Sequence, residues 1–178
     1  MSMKDGDNYL YKVKVLNLGN GAVGKTSLAL RYTHNKFNEK YITSLGVDLF
    51  SKEINLFEEM TIKLSVFDTI SQKNFAPLRK RYYPGSNGAI IIYDITNRQS
   101  FESVDYWIEE VKENVSDIEI IIVGNKIDLY EEREVTYEEA VKKYGDRYSV
   151  FETSAKLGKG VEDVYTTITK RIVEKITN

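Results

Sequence analysis

The stretch Gly19-Asn20-Gly21-Ala22-Val23-Gly24-Lys25-Thr26 constrains this chain more than any other. It has the spacing G-x-x-x-x-G-K-[ST], follows an apolar run suited to a strand (Val13, Val15, Leu16, Leu18), and opens into a run suited to a helix (Leu28, Ala29, Leu30, Tyr32). A plain strand-to-helix turn needs neither the glycine spacing nor both flanks. The combination suits a phosphate chain, whose negative charges must be wrapped by backbone N–H groups and met by the start of a helix. Only a glycine-rich turn permits that approach sterically. In such a loop Lys25 reaches the outer phosphates and Thr26 offers its hydroxyl to Mg²⁺.

The 178 residues amount to one domain with a two-sided core. A formal net charge of −2 argues against a nucleic-acid partner held by bulk charge. There is no cysteine, which removes disulfides, thiolate zinc sites and cysteine-based lipid anchors from this sequence. No apolar stretch approaches the ~20 residues of a membrane helix, and the start is polar. The expectation is a cytoplasmic monomer with no direct membrane insertion, reaching a membrane only through a partner or a tail absent from this sequence.

Along the chain, residues 1–8 read as a flexible lead and 9–178 as the folded domain. Strand patterns cover Tyr11 to Leu18, Asp48 to Phe57, Met60 to Phe67, Ala89 to Tyr93, Ile118 to Val123 and Tyr148 to Glu152. The second and third are separated by Glu58-Glu59 and read as an antiparallel hairpin at the sheet edge. Helix patterns cover residues 25–36, 73–83 (weakly), Gln99 to Asn114, Thr136 to Tyr144, with Thr136 and Glu139 at capping-box spacing, and Val161 to Ile176. Residues 35–46 read as a loop. The alternation predicts an α/β domain: a mostly parallel six-stranded sheet with one antiparallel edge strand and helices on both faces. Ligands of such sheets bind at the carboxyl ends of the strands.

Two further motifs follow strands. Asn125-Lys126-Ile127-Asp128 is N-K-x-D. A carboxylate at Asp128 can accept hydrogen bonds from both N1–H and the exocyclic amine of guanine, an arrangement adenine lacks, so a wrong base leaves a buried charge unpaired. Asn125 would contact the other edge of the base and the Lys126 stem would lie along the ring. Asp68 ends the hairpin, where a nucleotide hydrolase places the carboxylate that holds Mg²⁺, and Gln72 lies four residues on, suited to orient an attacking water.

Taken together, Gly19–Thr26, Tyr41-Ile42-Thr43-Ser44-Leu45-Gly46-Val47-Asp48, Asp68-Thr69, Tyr82–Gly88, Tyr93–Thr96, Asn125–Asp128 and Thr153-Ser154-Ala155-Lys156 resemble a Ras-superfamily small GTPase. Leu45–Asp48, the Tyr82-Tyr83 pair and Ser100-Phe101 resemble the Rab branch. The resemblance implies GTP and GDP as ligands, Mg²⁺ as cofactor, and slow GTP hydrolysis in vesicle trafficking or signalling. Effectors, exchange factors and activating proteins would bind through the two switch regions. By position, Gly19, Asn20, Gly21, Ala22, Val23, Gly24, Lys25, Thr26 and Ser27 would hold the phosphates, and Phe37 would sit edge-on against guanine. Ser154, Ala155 and Lys156 would form a second guanine loop, with the Ala155 N–H aimed at the base oxygen. Thr26, Ser44 and Asp68 would hold the metal, and Gln72 and Lys25 would serve catalysis. The loop at Thr43-Ser44 corresponds to switch I and residues 68–83 to switch II, both ordered by the γ-phosphate and Mg²⁺.

Two departures bear on mechanism. The usual D-T-A-G-Q reads Asp68-Thr69-Ile70-Ser71-Gln72. Ser71 keeps the backbone N–H expected to sense the γ-phosphate, but a φ > 0 state there would cost it ~1 kcal/mol or more. Ile70 brings a branched side chain toward the place where water and γ-phosphate meet, and a 1 Å displacement of Gln72 would cost ~100-fold in rate. Ser44 replaces the family's switch I threonine and lacks its methyl group, which predicts weaker closure. The rival reading is a hydrolysis-impaired interaction module. An ATP-using phosphate-loop kinase is disfavoured by Asp128. Trp107 reads as packing, His34 as a helix end without chemistry, Glu131–Glu134 as a solvated loop, and Glu109-Glu110 as an exposed helix face.

Overall fold

The computed structural model describes residues 3–5, 8–37, 46–56 and 60–177, without the side chains of 3–5, 8–10 and 73. The strands are β1 (Met3–Asp5), β2 (Asn8–Leu18), β3 (Asp48–Leu56), β4 (Met60–Asp68), β5 (Gly88–Asp94), β6 (Glu119–Asn125) and β7 (Ser149–Thr153). The helices are α1 (Lys25–His34), α2 (Ala76–Lys80), α3 (Arg98–Glu102), α4 (Val104–Asn114), α5 (Tyr137–Tyr144) and α6 (Val161–Thr177). The six expected strands lie in the order β3-β4-β2-β5-β6-β7. All neighbours are parallel except β3 with β4, whose register runs from Asp48 opposite Asp68 to Leu56 opposite Met60. The polar lead adds β1, antiparallel to the start of β2.

Side-chain alternation along the central strands divides the core into two layers. Ile90, Ile92, Ile121 and Val123 pack with Leu28 and Tyr32 of α1 and Tyr165, Ile168 and Ile172 of α6. Ala89, Ile91, Ile120 and Ile122 face the other way, against Phe101, Trp107, Val111 and Tyr144 from α3, α4 and α5. All seven residues of β5 are buried, as the unbroken apolar run requires of a central strand.

Three local readings need correction. The helix expected from Gln99 to Asn114 is two helices, broken at Ser103, whose hydroxyl donates back to the Gln99 carbonyl at 2.8 Å. Thr136 caps α5 through the Glu139 N–H as the spacing predicted, but the Glu139 carboxylate pairs with Arg98 instead of returning to the cap. In the charged loop, Glu131 and Glu132 are exposed, while Arg133 is largely covered and grips Glu152 with both terminal nitrogens.

The larger correction concerns Glu110. Glu109 lies on the exposed face, but Glu110 is 4% exposed and forms a two-pronged ion pair with Arg79, which is 0% exposed. Tyr83 and Tyr106 each donate a hydroxyl to the same carboxylate at 2.6 Å. Burial alone would raise the Glu110 carboxyl, but the hydrogen bonds from Arg79, Tyr106 and Tyr83 outweigh it and hold the group below the ordinary value. Because the folded value is the lower one, the pair's stabilisation is complete above the unfolded value of about 4.3 and is lost as pH falls through the folded value. Glu110→Gln is therefore expected to destabilise the chain by about 3–5 kcal/mol at pH 7, with the gap from wild type narrowing below about pH 4. Urea unfolding across that range measures it, and a constant gap from pH 7 to pH 3 would contradict the assignment.

Candidate functional site

Parallel register gathers the site. Asn17 lies opposite Asp68 at the ends of β2 and β4, and Asp94, Asn125 and Thr153 stand side by side at the ends of β5, β6 and β7. All five are polar and buried, an arrangement with a solvation cost unless each group is bonded. The turns that follow these strands carry the motifs.

The glycine loop is shaped by two positions that tolerate no side chain. Gly19 has φ 140°, and a Cβ there would lie 2.2 Å from the Ile92 carbonyl oxygen; Gly24 has φ 99°, and a Cβ would lie 2.2 Å from Asn125 Nδ2. Gly24 is the N-cap of α1, so the helix begins at Lys25 directly from the loop. Lys25 Nζ curls back to the carbonyls of Gly19 at 3.0 Å and Asn20 at 2.8 Å. Burial draws its ammonium down to about 8, with the Asp68 carboxylate pulling upward and Arg79 pushing further down. Asn20 is fixed from outside the loop, its amide oxygen accepting from Trp107 Nε1 at 2.9 Å and its nitrogen donating to Ser103 at 3.0 Å. Gly21 and Ala22 are exposed, Val23 is buried and Ser27 is half-buried.

The Thr26 hydroxyl donates to Asp68 Oδ2, bringing a hard hydroxyl and a buried carboxylate into contact across 42 residues of sequence. That donor set fits Mg²⁺, which takes oxygen ligands and usually only one or two carboxylates, completed by phosphate and water. Among the described residues no group of three or more His, Asp or Glu could hold a metal by itself. Thr43 and Ser44 lie outside the described residues.

At the other end, Asn125 is a three-way tie. Its Nδ2 donates to the Val23 carbonyl at 2.9 Å, while its Oδ1 accepts from Thr153 Oγ1 at 3.0 Å and from the Ala155 N–H at 3.2 Å. The Ala155 N–H, expected to face a base, is thus turned to Asn125 here. Lys126 has φ 73°, and its amine pairs with Asp94 at 2.5 Å. Asp128 accepts from the Ser154 hydroxyl at 2.5 Å. Lys156 is exposed, and Phe37 packs against the α1/α6 core layer.

Gln72 and Ser71 are brought near neither end by a side-chain hydrogen bond. Gln72 is exposed and Ser71 half-buried, whereas Ile70 is 5% exposed, its branched chain covered. Sequence reasoning missed Asn17, whose amide donates to the Lys25 carbonyl and to Tyr165, and Arg31, which holds the Ala155 and Lys156 carbonyls at 2.8 Å each. A polar Asn inside the apolar run Val13–Leu18 was a readable signal; Arg31 had none.

These loops on this sheet define a phosphate-loop nucleotide-binding domain. The profile described as "Ras family" matches residues 14–174. Ras-related protein Rab-21 of Homo sapiens is 43% identical over 167 residues, covering 92% of this chain and 73% of that protein. Ras-related protein Rab-4 of Dictyostelium discoideum is 40% identical over 169 residues (94% and 82%), and Ras-related protein Rab-13 of Canis lupus familiaris 37% over 171 (94% and 83%). The chain belongs to the Ras family of small GTPases, in its Rab-like branch. Among the described residues no helix is long and apolar enough to cross a membrane.

Asn125→Ala removes three hydrogen bonds and strands the Val23 carbonyl, the Thr153 hydroxyl and the Ala155 N–H, all buried. It is expected to cost about 2–4 kcal/mol of stability in urea unfolding; a loss below ~1 kcal/mol would show that the loops hold without this tie.

Proposed function

We propose that the chain is a Rab-like guanine-nucleotide switch that binds GDP and GTP with Mg²⁺ and slowly hydrolyses GTP by attack of water on the γ-phosphate, serving vesicle trafficking or signalling. The observation that carries this reading is the joining of the glycine loop to the N-K-x-D turn and the 153–156 turn through one side chain, Asn125. Residues that grip phosphate and residues that select a base then act as one site.

In this mechanism Gly19 to Ser27 hold the phosphates through backbone N–H groups, and Lys25 leaves its loop carbonyls for the outer phosphates. Asp128 selects guanine by accepting from its N1–H and amine. Lys126, with its amine held by Asp94, lays its stem along the ring, while Asn125, Ser154, Ala155 and Lys156 close the base edge and Phe37 flanks it. Thr26, Asp68 and Ser44 would hold Mg²⁺, which would supply charge neutralisation at the phosphates. Gln72 orients the water, its exposed side chain able to turn toward the nucleotide, and the Ser71 N–H senses the γ-phosphate.

Effectors, exchange factors and activating proteins would meet the switch regions. Support comes from an apolar surface beside them: Leu49 is 58% and Tyr82 37% exposed, Leu49 stands opposite Phe67, and the Phe67 and Tyr82 rings lie 6.2 Å apart. The chain would act as a cytoplasmic monomer, associated with membranes through a partner or a tail absent from this sequence. Ile70 and Ser71 favour a second reading, an interaction module whose hydrolysis is impaired.

Single-turnover hydrolysis of γ-labelled GTP separates the two. The switch reading expects measurable phosphate release that falls by ~10-fold or more in Gln72→Leu. Equal inertness of both proteins, with GTP bound, would favour the interaction module.

A further inference from the structure

Arg79 lies in the basic run Arg79-Lys80-Arg81, yet its side chain is fully enclosed. Four donations are arranged around its guanidinium. Nε and Nη2 take the two oxygens of Glu110 at 2.8 and 2.6 Å, Nη2 also reaches the Tyr106 hydroxyl at 2.9 Å, and Nη1 donates to the backbone carbonyl of Gln72 at 2.8 Å. The guanidinium carbon stands 4.8 Å from the centre of the Trp107 ring. Glu110, Tyr106 and Trp107 all belong to α4, so the cation is seated on that helix and extends one arm to the segment before α2.

The ion pair answers the cost of burying two charges, because each is met by several hydrogen bonds. The arm to Gln72 is the part of this balance that comes from outside α4, satisfying the remaining terminal nitrogen. It crosses from a rigid helix to a residue whose side chain is exposed. The same helix also holds the glycine loop, through Trp107 and through Ser103 at its N-cap, to Asn20. One element therefore sets the place of the Gln72 backbone relative to the phosphate loop.

We infer that Arg79 is a positioning residue for Gln72: it fixes the Gln72 carbonyl against α4, so that the Gln72 side chain starts each turnover at a set distance from the phosphate loop. The inference rests on the switch reading above for its effect on rate, and on geometry alone for the anchoring. Lysine at 79 keeps the charge beside Glu110 but cannot grip both carboxylate oxygens and the Gln72 carbonyl together.

The test compares wild type, Arg79→Lys, Gln72→Leu and the double variant, each loaded with GTP, in single-turnover hydrolysis, with release of a fluorescent GDP as the control for the phosphate and base contacts. Arg79→Lys is expected to slow hydrolysis by ~10-fold or more, to change nothing further in the Gln72→Leu background, and to leave GDP release within about twofold. Equal slowing in both backgrounds, or no slowing, overturns the inference, since a merely structural residue would act without regard to Gln72. If wild type and Gln72→Leu hydrolyse alike, it is the catalytic reading of Gln72 that has failed. Hydrogen exchange of the GDP-loaded proteins then decides the anchoring: Arg79→Lys must speed exchange in the 70–76 segment and not in 19–27, and unchanged exchange there overturns it. Should Arg79→Lys not fold, Tyr106→Phe loosens the same guanidinium from a partly exposed position, with the same pattern expected at ~2–5-fold and the same outcomes contradicting it.

Discussion

The side-chain amide of Asn125 is the bond on which the site depends. The glycine loop and the N-K-x-D turn are separated by about a hundred residues, and neither is held by regular secondary structure at its tip. Because Asn125 ends a buried strand whose neighbours are parallel, its amide arrives between Val23 on one side and Thr153 and Ala155 on the other. The close approach that excludes a Cβ at Gly24 is the same contact seen from the loop. Glycine there is required by a neighbour as well as by φ.

Around that tie the polar residues form a layer at the carboxyl edge of an apolar sheet. Each member is partnered across the fold: Thr26 with Asp68, Lys126 with Asp94, Asp128 with Ser154, and the Thr69 hydroxyl with the Asn17 carbonyl at 2.8 Å. Several of these partners are the groups that the proposed mechanism turns toward ligand. A nucleotide would thus exchange internal hydrogen bonds for new ones, and breaking the internal set offsets part of what the new bonds contribute. The segment from Ile70 to Gln72 differs in kind. It has a covered apolar residue, a serine in place of glycine, and an exposed Gln72 whose carbonyl is tethered to a separate helix.

Motifs with local chemistry were legible in the sequence. Gly19–Thr26 and Asn125–Asp128 announce themselves by a fixed spacing next to a strand, and the mostly parallel pairing follows from alternation with helices. What stayed hidden was pairing across the chain. Glu110 looked solvated beside Glu109, and only the arrival of Arg79, thirty-one residues earlier, makes it a core residue. Arg31 gave no signal, since its partners are carbonyls that any residue carries. The break at Ser103 is a single residue with ψ −6° between two helices, a local departure that periodicity does not register.

Whether one site both grips phosphate and selects guanine is tested most directly by competition. A fluorescent GDP bound to the chain with Mg²⁺ would be displaced by unlabelled GTP, GDP, ATP and ADP in turn. Guanine nucleotides are expected to displace it stoichiometrically, while adenine nucleotides need at least ~1,000-fold more, since adenine leaves the Asp128 carboxylate unmet. Displacement by ADP at concentrations similar to GDP would contradict it.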